Sequence, residues 1–140
     1  MRTLIFASLM TLILGTGAAH AHGEDKPGPN SGFIRMPGAF HTEVIPLAPN
    51  KLKVYLLEIN WKNPSDTNSS LSVNLKSKKT SQAKCEVQEN NYLCEFPKGV
   101  DLTKNGELSV EAQRENQKGN KVSYELPLKL QVIDDGHGGH

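Results

Sequence analysis

Between Val122 and Val132 every second residue is apolar: Val122, Tyr124, Leu126, Leu128, Leu130 and Val132. Successive side chains of a β-strand point to opposite faces, so a sustained period of two predicts a strand with one face in a core. Pro127 falls on the other parity and has no amide hydrogen, which suits an edge strand. The same period recurs at Phe40, Thr42 and Val44, at Leu71, Val73 and Leu75, and at Leu108, Val110 and Ala112. In the stretch 51–61 it changes phase. Leu52, Val54 and Leu56 give way to Leu57, Ile59 and Trp61, which requires either a bulge or a strand buried on both faces, with Trp61 in the core.

No stretch sustains a helical period. Turn residues separate the alternating runs at Pro46, Pro49-Asn50, Asn63-Pro64-Ser65-Asp66, Pro97-Lys98-Gly99, Lys104-Asn105-Gly106 and the polar loop Glu115–Asn120. About seven short strands so punctuated predict an all-β fold, an immunoglobulin-like β-sandwich, with a small barrel as the alternative.

Cys85 and Cys94 are the only cysteines. A hairpin centred on Glu89-Asn90 pairs Gln88 with Asn91, Val87 with Tyr92, and Cys85 with Cys94, a separation slightly wide for a disulfide unless the pair is the closer, non-hydrogen-bonded kind. A two-thiolate metal site is the competing reading, and an oxidising compartment favours the disulfide.

That compartment is suggested by the start of the chain. Arg2, an apolar run (Leu4 to Phe6, Leu9 to Leu14) interrupted by Ser8 and Thr11, and the small residues Gly15 to Ala19 have the build of a secretory signal peptide, residues 1–21. Cleavage after Ala21 exposes His22; cleavage after Ala19 exposes His20. Either cut sets an imidazole beside a new α-amine. Removing 21 of the 140 residues leaves 119, enough for one domain and one core. The signal holds Arg2 and no acid, so 15 of the 16 Lys+Arg remain against 15 Asp+Glu. A neutral domain lacks the basic footprint of a nucleic-acid binder, and no later apolar run is long enough to span a membrane as a helix. Residues 22–32, rich in Pro, Gly and charge, form a flexible or docked arm; 33–133 form the sandwich; 134–140 form a polar, histidine-containing tail.

All five histidines fall at His20, His22, His41, His137 and His140. Neutral imidazole suits copper, zinc and nickel, and a thioether such as that of Met36 adds affinity for Cu(I). With Phe40 inward, His41 and Glu43 share the outward face, a two-point platform for a metal carried by the arm. His137-Gly-Gly-His140 is a second, weaker capture site. No nucleophile-elbow pattern, H-E-x-x-H or glycine-rich phosphate loop occurs, so binding rather than catalysis is expected.

The stretch Gly28-Pro29-Asn30-Ser31-Gly32 to Glu43, followed by Leu52-Lys53-Val54-Tyr55-Leu56, resembles small exported β-sandwich proteins and the N-terminal domains of metal-efflux adaptor proteins. These read G-P-H-G-G before a strand with an outward carboxylate. Asn30 and Ser31 stand where that pattern has His and Gly, which leaves His22 and His41 as the imidazoles. A looser similarity is to copper-resistance sandwiches whose terminal histidine forms a brace. The resemblance implies a periplasmic carrier or buffer for a copper ion or another divalent transition metal, working beside a metal-efflux or copper-delivery protein. The ligands would be His22, His41, Met36, His137 and His140. The rival expectation is an exported interaction module, an adhesin-like subunit or an enzyme inhibitor, in which the histidines have no metal role.

Overall fold

The structure, a computed structural model, describes residues 24–130. Ten strands occur there: β1 (Phe33–Arg35), β2 (Phe40–Ala48), β3 (Lys51–Glu58), β4 (Ser70–Lys76), β5 (Thr80–Gln82), β6 (Lys84–Gln88), β7 (Asn91–Glu95), β8 (Gly106–Arg114), β9 (Gln117–Lys118) and β10 (Val122–Leu126). One sheet has the order β1-β2-β3-β7-β6; the other has β10-β8-β4-β5, with β9 also on β8. All pairings are antiparallel.

The chain is therefore a two-sheet β-sandwich. Reading β2, β3, β7 and β6 as strands A, B, E and D, and β10, β8 and β4 as G, F and C, gives the immunoglobulin-like strand order. The seven expected strands are β2, β3, β4, β6, β7, β8 and β10. The short β1, β5 and β9 are additions.

Alternation decides which side chains meet between the sheets. Phe40, Val44, Leu52, Val54, Leu56, Tyr92, Cys94 and Phe96 face Val73, Leu75, Leu108, Val110, Ala112, Tyr124 and Leu126 in one buried cluster. Two buried arginines tie the layers. Arg35 donates to the Ser123 carbonyl (2.9 Å) and lies 4.5 Å from the Tyr124 ring centroid. Arg114 donates to the carbonyls of Leu56 (3.2 Å) and Asn63 (2.6 Å). The Tyr124 hydroxyl is 2.7 Å from Thr42 Oγ1 and donates to the Phe33 carbonyl at 3.4 Å. Burial pushes its phenol well above the ordinary tyrosine range.

Cys85 stands opposite Cys94 in the expected register, Cα atoms 4.0 Å apart, and the two form a disulfide. This removes the thiolate site. The loop after β8 is tighter than its polar composition suggested: Glu115 and Asn116, both at positive φ, make a two-residue turn of type I′, and Gln117 is already back in register with Arg114. At the other end of the hairpin β10 stops at Leu126, so Leu128 and Leu130 lie beyond the strand. As expected of a strand followed by Pro127, β10 is an edge strand.

Candidate metal site

His41 and Glu43 share the outer face of the first sheet, and neither is an open platform. His41 is 2% exposed and Glu43 is fully buried. Outward parity guarantees solvent only where nothing lies on top, and two segments lie on top here.

Over His41 lies Trp61. Their rings stack at 3.9 Å between centroids, 11° from parallel, and His41 Nδ1 is 3.3 Å from the Glu58 carbonyl oxygen. Trp61 is half-buried and outside the core cluster, contrary to the expectation that it fills the core. Its φ of 71° is a left-handed conformation that costs a bulky residue about 1–3 kcal/mol. The turn holds it there through Trp61 N–H to the Glu58 carbonyl and Glu58 N–H to the Lys62 carbonyl, both 2.9 Å. The change of phase in β3 is thereby explained. Leu57 is a true second-face core residue, 1% exposed, whereas Ile59 is 53% exposed.

Over Glu43 lies the arm. Its carboxylate accepts the Asn30 N–H (2.9 Å), the Asn30 side-chain amide (2.8 Å) and the Gly32 N–H (2.9 Å). Residues 28–32 are closed on themselves by Gly28 N–H to the Gly32 carbonyl and Ser31 N–H to the Gly28 carbonyl. They sit so close to the sheet that a side chain at Gly28 would collide with the Glu43 carboxylate and Ile34, and one at Gly32 with Ile45 and the Val44 backbone. This part of the arm is docked. The carboxylate that resembled a metal partner is a clamp, and Asn30, standing in place of a histidine, is one of its donors. The legible signal was the glycine pair bracketing Asn30: flat packing on a strand is one reason to require two such residues.

Met36 is half-buried just after β1. His20, His22, His137 and His140 lie outside the described residues. Among the described residues no group of three or more His, Cys, Asp or Glu is disposed to hold a metal ion.

Sequence reasoning missed a groove of about 510 Å³ lined by Glu24, Arg35, Gly106, Glu107, Ser123 and Glu125. Glu107 and Glu125 are direct register partners, and β10 ends beside it where Leu126 pairs with Gly106. Lys129 Nζ lies 3.5 Å from Glu125 Oε2 in an exposed ion pair just beyond β10. Glu24, two residues from His22 in sequence, and Ser123 and Glu125 of β10 therefore line one groove.

No protein-family profile matches the chain, and neither curated proteins nor solved structures provide a match. Among the described residues no helix is long and apolar enough to cross a membrane.

Proposed function

We propose that this is an exported copper-binding carrier or buffer whose ligands are the histidines flanking the sandwich, not those on its sheets. His22 with the amine freed by signal cleavage supplies one half of the site, and His137 and His140 supply the other. The observation that carries the reading is that Glu24 and the β10 residues Ser123 and Glu125 line one groove. A residue spans at most about 3.3–3.6 Å, so His22 is within about 7 Å of Glu24, and His137 can range up to about 25 Å from Leu130. In the proposed site both reach the groove, whose three carboxylates, Glu24, Glu107 and Glu125, outnumber the Arg35 guanidinium and raise the local cation concentration. Amine and imidazole nitrogens suit Cu(II). A metal-efflux or copper-delivery protein would receive the ion.

The rival is an interaction module presenting β6, the outer strand of its sheet, where Val87 is 55% exposed. Lys84 and Glu86 flank it with charge, a common guard against edge pairing, so this reading has less support.

Copper titration of the processed protein separates the two. Micromolar or tighter binding is expected, falling at least tenfold in His22→Ala and in the His137→Ala/His140→Ala double variant, and unchanged in His41→Ala. No binding at micromolar copper, or equal affinity in all variants, removes the copper reading.

A further inference from the structure

A second cavity lies at the end of the sandwich where β4 turns into β5 and where β7 crosses to β8. It measures about 690 Å³, within the range of about 300–1,000 Å³ typical of small-molecule sites. Leu75, Pro97 and Val100 give it an apolar floor, and Lys78, Lys79, Lys98 and Lys104 stand around it. All four lysines are exposed, and none joins an ion pair among the described residues. The one carboxylate in the lining, Asp101, is turned to its own loop, accepting Thr103 N–H (2.9 Å) and the Thr103 hydroxyl (2.5 Å).

The wall is built rather than loose. Pro97–Val100 is a β-turn closed by Val100 N–H to the Pro97 carbonyl (3.2 Å), with Gly99 at φ 93°, the third position of a type II turn. Leu102 is buried and donates to the Pro49 carbonyl at 2.7 Å, which pins the loop to the other sheet. Lys98 and Lys104 thus project from fixed backbone. Opposite them Lys78 and Lys79 project from the β4–β5 turn.

Four exposed lysines around an apolar floor, with Asp101 offsetting part of the Lys104 charge, have the chemistry to hold an amphiphilic anion. We propose that this cavity binds a single-chain acyl anion, its tail on Leu75, Pro97 and Val100 and its carboxylate or phosphate head among the lysines. Lysine is well suited to the head because its stem covers apolar surface while its ammonium stays in water. Its lining shares no residue with the groove of Glu24 and Glu125, and it requires no metal.

The test is calorimetric and NMR titration of the processed protein, in chelator, with inorganic phosphate and with dodecanoate, dodecyl phosphate and dodecyl maltoside, the three amphiphiles below their micellar concentrations. One-to-one binding of the two dodecyl anions is expected, at least tenfold tighter than the maltoside, weakening with salt, with shifts confined to residues 75–81 and 97–105. Inorganic phosphate should bind at least a hundredfold more weakly. Whichever anion is tighter identifies the head. Lys98→Glu/Lys104→Glu should lose at least tenfold in affinity with an unchanged melting curve, and Val100→Ser should weaken tail binding without changing the charge of the site. No one-to-one binding of either dodecyl anion, equal binding of the maltoside, or undiminished affinity in the lysine variant overturns the proposal. Because chelator is present throughout, failure here leaves the copper titration untouched, and the reverse holds.

Discussion

The two outer faces of the sandwich are built by the same alternation and end in opposite states. On the β1-β2-β3 side Ile34, His41, Glu43 and Leu57 point outward and are buried. On the β4-β8-β10 side Glu111 and Ser123 point outward and are exposed, with Ser72, Asn74 and Ser109 half-buried between them. The difference is a roof. Residues 28–32 and the Trp61 turn cover the first face, and no comparable segment covers the second among the described residues. Covering let the first face become apolar and let it hold one carboxylate, because the roof brings amide donors with it. An uncovered face must stay small and polar.

The comparison can be broken by unloading each face in turn. Leu57→Ala should cost about 3 kcal/mol in urea unfolding, the penalty of a buried leucine and not of a surface one. A cost below about 1 kcal/mol would mean that the roof is not closed. Glu43→Gln keeps the shape but places an amide donor against donors, and should cost about 2 kcal/mol. The matching change Glu111→Gln on the bare face should stay within about 0.5 kcal/mol. Equal effects of the two would erase the distinction. An effect smaller than those at Leu57 and Glu43 is expected at Tyr124, whose hydroxyl reaches Phe33 on the strand next to the arm. Tyr124→Phe should cost about 1 kcal/mol at pH 7. Its alkaline behaviour is the sharper readout. The folded phenol titrates above its unfolded value of about 10, so stability is full below that pH and falls as pH rises beyond it. The Phe variant should lose less stability than the parent between pH 10 and 12; parallel curves would show that Tyr124 carries none of the alkaline loss.

Much of the fold was legible because it depends on local period. The Val122–Leu126 alternation found β10, and the hairpin arithmetic at Cys85 and Cys94 found the register residue by residue. What failed was reading exposure from parity. His41 and Glu43 were correctly assigned outward, yet whether outward means wet depends on a segment distant in sequence: 13 residues separate Asn30 from Glu43. Such a segment carries no apolar signal, since the clamp works through amides and glycines. Trp61 misled for the converse reason. Its size argues for the core, but the turn after Glu58 puts its backbone at positive φ and its ring on the outside of the sheet. The lysine-rimmed cavity had no linear pattern at all, because its two walls come from residues 77–81 and 97–105 and meet only once the sheets have packed.

The clamp on Glu43 has a further consequence, one of tether length. By fixing Gly28 to Gly32 against the sheet it shortens the free path from the folded body to His22 to a few residues. A group on so short a leash is held near its anchor at an effective concentration in the millimolar range, and that concentration falls as the leash lengthens. Under the proposed function, a loop that makes no contact with the metal would set how often its first ligand meets the others.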